Sequence, residues 1–319
     1  MKAIGLTTYG GPDVLHPVEL DLPTPGPGEV RVKVRAAGVN PADAMLRDGS
    51  LADWYQGLEP PFIPGMDVAG TIDATGPDLT APLAVGDEVV GIVDNRGRHG
   101  GYSEYVVLPT ASVTPKPRHA TWEEAASFLM NALTARVALD ARDLPAGATL
   151  LVTGAAGAVG GYAVQLACAD GLRVIAVASR QDESAVRGFG AHEFIDRDEV
   201  VTQRVLDLAP GGVDGLVDTA MLHDAITPTV RDGGQIAVLR FWNGTPGRGI
   251  TVHPINVRNH ATDRQTITGL RKLVESGALA LRVAGTFPAD QAPQAHRQLD
   301  KGGLRGRIVL TFPHQADRS

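Results

Sequence analysis

Leu150-Leu151-Val152-Thr153-Gly154-Ala155-Ala156-Gly157-Ala158-Val159-Gly160-Gly161 runs an apolar strand into a loop of small residues and on into a helix. Small residues let the chain turn sharply, and they let backbone N–H groups approach a pyrophosphate. The helix that follows points its positive end at that charge. Gly160 also lets the helix pack close to the strand. The first glycine of the dinucleotide fingerprint is replaced by Ala155, with Gly154 one place earlier. A glycine-rich loop alone says little. Between an apolar strand and a helix, inside a repeated strand–helix pattern, it reads as a nucleotide loop.

That pattern extends on both sides. Thr121-Trp122-Glu123-Glu124 reads as a capping box opening a helix to about Ala141. After the loop come a helix near 158–170, a strand at 173–178, a helix at 182–189, a short strand near Phe194 and a helix near 198–208. A strand at 213–218, a helix at 222–230, a strand at 235–239 and a helix at 262–276 follow. Strands alternating with helices require crossovers and a parallel sheet, and near-continuous apolar strands fit a sheet covered on both faces. Before Pro117 the rhythm is different. Short strand-like runs (30–36, 68–74, 88–93, 105–108) are broken by Pro25-Gly26-Pro27-Gly28, Gly76-Pro77-Asp78, Gly86-Asp87 and Gly100-Gly101, as in a small antiparallel barrel or sandwich. Similar runs return at 281–284 and 307–311, so the chain end is expected to rejoin the first domain. The fold class is therefore α/β. A β-barrel domain is expected over 1–118 and 282–319, and a doubly wound parallel-sheet domain over 119–281.

Composition bounds the function. The 319 residues carry 29 basic against 36 acidic side chains, a formal charge of -7, which argues against a nucleic-acid footprint. One cysteine, Cys168, excludes a disulfide framework and reads as a small buried apolar residue. The first ten residues lack an apolar signal region and no apolar stretch is long enough to span a bilayer, so no membrane and a cytoplasmic location are expected. Of the bases, 24 are Arg and five are Lys, which weakens the meaning of any one Arg.

The cofactor is read at the end of the second strand. NAD enzymes carry Asp or Glu there for the ribose 2′-hydroxyl. Here the strand ends Val177-Ala178-Ser179-Arg180, a hydroxyl and a cation suited to a 2′-phosphate, and Arg197 adds a second cation. NADPH is the cofactor expected.

Taken together, Val34-Arg35-Ala36-Ala37-Gly38-Val39-Asn40-Pro41-Ala42-Asp43, Ile63-Pro64-Gly65-Met66-Asp67-Val68-Ala69-Gly70, Gly86-Asp87-Glu88-Val89-Val90-Gly91, Gly101-Tyr102-Ser103-Glu104-Tyr105 and the loop resemble the zinc-free, zeta-crystallin-like NADPH:quinone oxidoreductases of the medium-chain dehydrogenase/reductases. The resemblance covers nearly the whole chain. It implies a GroES-like catalytic domain with a Rossmann domain, a cleft between them, and a homodimer joined through the Rossmann sheets. Zinc-dependent relatives place Cys, His and Cys where Asn40, Met66 and Met130 stand, so no metal is expected.

The resemblance implies hydride transfer from NADPH to a quinone or an α,β-unsaturated carbonyl. Both build negative charge on oxygen. Without a Lewis acid that charge must meet oriented donors in a water-poor site. Asn40 is the first candidate, its amide placed to donate to substrate or cofactor, or simply to cap the turn before Pro41. Asp43 reads as a helix cap. Tyr55 reads either as a proton donor to the product or, with Trp54, as an apolar lid. Carried over by position, Thr134 lies near the nicotinamide. Gly154, Ala156, Gly157, Ala158 and Val159 take the pyrophosphate, and Ser179, Arg180 and Arg197 the 2′-phosphate. Thr219, Ala220, Arg240 and Phe241 end later strands, and Arg307 reaches toward the cofactor phosphate. His99, His119, His192, His223, His253 and His260 show no ligand spacing. Two other readings stay open: an enoyl-thioester or biosynthetic tailoring reductase, and a low-turnover NADPH-binding protein.

Overall fold

The structure, a computed structural model, describes residues 1–240 and 242–312. The chain divides into two compact units. One comprises 1–130, 261–275 and 281–319, the other 131–260 and 276–280. The sequence boundaries of 118/119 and 281/282 differ from these because two helices expected in the second domain belong to the first unit.

The first unit opens with β1 (Lys2–Gly5) paired to β2 (His16–Glu19). Then come β3 (Glu29–Val39), α1 (Pro41–Asp48), β4 (Asp67–Thr75), β5 (Glu88–Ile92), β6 (Tyr105–Pro109), β7 (Val113–Pro115) and α2 (Trp122–Ala126). Alternation is clearest in β3, where Val30, Val32 and Val34 are buried and Arg31, Lys33 and Arg35 are not. α2 opens on the expected capping box, with Glu124 N–H donating to Thr121 Oγ1 at 3.2 Å and Thr121 N–H to Glu124 Oε2 at 2.9 Å. The helix does not continue to Ala141. The Ser127 hydroxyl donates to the Glu124 carbonyl, ending the helix, and α3 (Leu129–Asp140) begins afresh.

The second unit is built on β8 (Thr149–Thr153), α4 (Ala158–Ala169), β9 (Arg173–Ala178), α5 (Glu183–Gly188), β10 (Glu193–Asp196), α6 (Val201–Leu208), β11 (Val213–Asp218), β12 (Val230–Val238) and β13 (Thr251–Pro254). Its strands are parallel in the order β10-β9-β8-β11-β12-β13. The order reverses between β8 and β11, the topological switch point where open α/β sheets bind ligands. The expected helix at 222–230 is two short 3-10 turns. Met221 and His223 take left-handed φ angles of 57° and 49° and Pro228 lacks an N–H, so a continuous helix is excluded.

The chain then returns to the first unit through α7 (Arg264–Glu275), β14 (Val283–Pro288), α8 (Ala292–Lys301) and β15 (Arg307–Thr311). β15 pairs antiparallel with β3, and the sheet order is β14-β15-β3-β4-β5-β7 with β6 also on β3. Its core gathers Val30, Val32, Leu46, Ile72, Val89, Leu108, Ile308 and Leu310. α8 and β13 were not expected: α8 is mostly polar, and β13, at the sheet edge, holds a single aliphatic residue, Val252. Cys168 is half-buried, its thiol donating to the Gly190 carbonyl at 3.0 Å. No helix among the described residues is long and apolar enough to cross a membrane.

Candidate active site

In the second unit the switch point is tightly built. Gly154 has φ +61°, and a Cβ there would fall 2.6 Å from Thr219 Oγ1. A Cβ on Gly160 would fall 2.2 Å from the Gly154 carbonyl oxygen, so the helix lies against the turn with no room for a side chain. Thr153 Oγ1 donates to Asp218 Oδ1 at 2.6 Å and accepts from Ala220 N–H at 3.1 Å. Thr219 Oγ1 donates back to the Thr153 carbonyl at 2.6 Å. These bonds stitch the ends of β8 and β11 together. Asp218 also accepts from His223 N–H at 2.8 Å, and the His223 ring stacks on Trp242. Gly157 caps α4, so the N–H groups of Ala158, Val159 and Gly160 lie in a first turn that leaves them without intrahelical acceptors. This cradle fits a pyrophosphate.

At the end of β9, Ser179 is half-buried with no carboxylate in its place. The exposed Arg180 guanidinium lies over the Phe194 ring and meets Asp196 at 3.0 Å, Glu199 at 3.1 Å and Glu183 at 3.3 Å. Three acids hold it in place and would also compete with a phosphate for it. Arg197 is exposed, and its N–H donates to the Ala178 carbonyl at 2.8 Å. Thr134 lies half-buried on α3, Arg240 is exposed just after β12, and Phe241 lies outside the described residues.

In the first unit, Asn40 is buried as the N-cap of α1. Its Nδ2 donates to Asp67 Oδ2 at 3.0 Å, and Asp67 Oδ1 accepts from Met130 N–H at 2.7 Å. When ionised, Asp67 accepts and does not donate, so it then turns the Nδ2 end of the Asn40 amide toward itself. Asp43, the third residue of α1, accepts from Asn40 N–H and Gly65 N–H, each at 2.7 Å. The three positions of the zinc-ligand comparison thus gather around one carboxyl: Asn40 and Met130 bond Asp67, and Met66 precedes it in the chain. Arg307 is buried with Nη1 donating to the Val39 carbonyl at 3.3 Å, and its charge acts on Asp67. Tyr55 is buried in the core, its hydroxyl donating to the Asn95 carbonyl at 2.9 Å and its ring packing edge-on to Phe62. Trp54 is exposed. Among the described residues no three His, Cys, Asp or Glu side chains gather as metal ligands.

Burial raises the Asp67 carboxyl from 3.8 to about 7, against the Asn40 amide, the Met130 N–H and Arg307, while Asp43 pushes it up further. The folded chain then holds a proton that the unfolded chain releases between those values. The contribution of Asp67 to stability is full below the unfolded value and falls as pH climbs to about 7. The difference in melting temperature between wild type and Asp67→Asn is expected to change across that window. Two profiles that stay parallel would contradict the assignment.

Sequence reasoning missed Asp67, though Met66-Asp67 lay in a quoted motif. The signal was an acid two residues after Gly65, heading the small apolar run Val68-Ala69-Gly70. It also passed over Tyr102 and His296, whose places emerge only from the fold.

Residues 26–118 match the alcohol dehydrogenase GroES-like domain, and residues 189–310 match a family described as zinc-binding dehydrogenase. A quinone oxidoreductase of Sus scrofa is 27% identical over 97% of both chains. The chloroplastic NADPH-dependent alkenal/one oxidoreductase of Arabidopsis thaliana is 29% identical over 97% of this chain and 79% of its own. A crystal structure of an NAD-dependent alcohol dehydrogenase superposes with TM-score 0.86 at 30% identity, covering 98% of this chain and 100% of that one.

Proposed function

The chain belongs to the medium-chain dehydrogenase/reductase family, and from that premise we propose an NADPH-dependent reductase of quinones and α,β-unsaturated carbonyls that works without a metal. The observation that carries the reading is the loop at the switch point, where Gly154 turns left-handed and Gly160 packs against it, so that the first turn of α4 presents N–H groups with no intrahelical acceptors. NADPH, when bound, supplies the hydride. The first turn of α4 holds its pyrophosphate, and Ser179 and Arg180 hold its 2′-phosphate. Arg197, Thr219, Ala220 and Arg240 follow the carboxyl ends of the parallel strands β10, β11 and β12, and Thr134 serves the nicotinamide end.

Asn40 supplies the donor. Asp67 takes one of the two Nδ2 N–H bonds, and the other meets the oxygen on which charge develops. Tyr55 keeps its hydroxyl on the Asn95 carbonyl within the core. The protein is proposed to be a cytoplasmic homodimer, joined along the exposed edge of β13.

NADPH oxidation with ortho- and para-quinones, enones and enoyl thioesters tests the acceptor class. Turnover of enoyl thioesters alone would replace the quinone and enone reading with that of an enoyl-thioester reductase. For the cofactor, Arg180→Ala is expected to raise KM for NADPH about tenfold while leaving KM for NADH nearly unchanged. Equal changes for the two would remove Arg180 from the 2′-phosphate site.

A further inference from the structure

Asn40 does not reach its position alone. Two residues of α1, Asp43 and Arg47, lie four apart and so share one face of the helix. Arg47 Nη1 lies 3.2 Å from His296 Nδ1 on α8. A guanidinium has no acceptor, so Nδ1 must accept and the ring proton must sit on Nε2. Nε2 lies 3.1 Å from the Tyr102 hydroxyl, which therefore receives its proton. The Asp43 carboxylate lies close enough to the same hydroxyl for its charge to act on it. The donors in this chain point the same way, Arg47 to His296 and His296 to Tyr102, which leaves the Tyr102 proton beside the Asp43 charge.

The chain is buried throughout. Asp43, Arg47, Tyr102 and His296 are each at most 5% exposed, and the Tyr102 and His296 rings meet edge-on. Burial, with Arg47 beside it, lowers His296 to about 3, so the ring stays neutral and keeps a single tautomer. The outer end is anchored by Asp300 at 3.1 Å from Arg47 Nη1. At the inner end Asp43 accepts from the N–H groups of Asn40 and Gly65, beside the Tyr102 hydroxyl. Gly65 fits this junction because it has no side chain: a Cβ there would fall 2.6 Å from Tyr102 Cδ1.

We propose that His296 is a positioning residue: through Arg47, and through Tyr102 beside Asp43, it holds α1 in place and so sets the direction of the Asn40 amide. The geometry stands without reference to turnover. Its consequence for the reaction rests on the donor role given to Asn40 above.

His296→Leu removes both bonds, whereas His296→Gln keeps one acceptor and one donor in nearly the same places. In full-length protein labelled at asparagine, the Asn40 side-chain amide resonance, assigned with Asn40→Ala, is expected to move in His296→Leu and to return in His296→Gln. In turnover, His296→Leu is expected to lower kcat about tenfold with little change in KM for NADPH, and to cost nothing further in the Asn40→Ala background. An unmoved amide resonance in folded His296→Leu, or losses that multiply in the double variant, would overturn the inference. If His296→Leu does not fold, Tyr102→Phe cuts the same chain and is read in the same way. A wild-type protein that reduces no quinone or enone would defeat the proposed activity, while the amide resonance would still decide the role of His296.

Discussion

Replacing Gly160 with alanine is expected to weaken NADPH binding about a hundredfold. Alanine is the better helix former by about 1 kcal/mol, so local propensity alone predicts a gain. Sterics decide the sign. The new Cβ would fall 2.2 Å from the Gly154 carbonyl oxygen, 2.8 Å from the Gly154 carbonyl carbon and 3.0 Å from Ala155 Cα. All three are backbone atoms and cannot rotate away. Either the turn or the helix must shift by about an ångström, which misplaces the N–H groups that hold the pyrophosphate. Overpacking of this kind costs about 1–3 kcal/mol, more than propensity returns. Fluorescence titration with NADPH reads the effect, and an affinity within twofold of wild type would show that this packing does not shape the site.

The second large effect is expected at Asn40. Asn40→Ala removes the donor assigned to the developing oxyanion, a loss of about a hundredfold in kcat by comparison with other oxyanion donors. It also takes from Asp67 the amide that bonds Oδ2, leaving Met130 N–H as the hydrogen bond in hand and Arg307 as the compensating charge. An unmet buried acceptor costs about 1–3 kcal/mol, so stability falls as well. The two losses separate experimentally, because the stability loss shrinks when Asp67 is protonated at low pH and the loss of kcat does not. A variant with near wild-type kcat would reduce Asn40 to the cap of α1.

What the sequence made legible follows from physical range. The nucleotide loop could be read because its demands are local: a left-handed Gly154, a close approach at Gly160, and a strand and helix on either side. The parallel order of the second unit followed from the alternation of apolar strands and helices. The first unit was legible as turn-rich strands and not as a site. Its central contact joins Asn40 to Asp67 across antiparallel strands, and Asp67 to the N–H of Met130 much further on. No periodicity encodes such pairings. His296 was invisible for the same reason, since it gains meaning only when α8 packs beside α1. The helix expected at 222–230 failed because its apolar residues suggested a period that Met221, His223 and Pro228 do not allow. The single cysteine remains informative in a narrower sense: Asn40, at a position that the family resemblance pairs with a zinc ligand, gives one amide N–H to the Asp67 carboxyl.

Steady-state oxidation of NADPH and of NADH by the wild-type protein, against a panel of quinones and enones, tests the central claim most directly. Saturable turnover of at least one acceptor of these classes is expected, with kcat/KM for NADPH exceeding that for NADH by about tenfold or more, equivalent to roughly 1.4 kcal/mol at the 2′-phosphate. Tight binding of NADPH with no oxidation by any acceptor would contradict the claim and leave a nucleotide-binding protein of low turnover. A ratio near unity, or one favouring NADH, would contradict the assignment of Ser179 and Arg180.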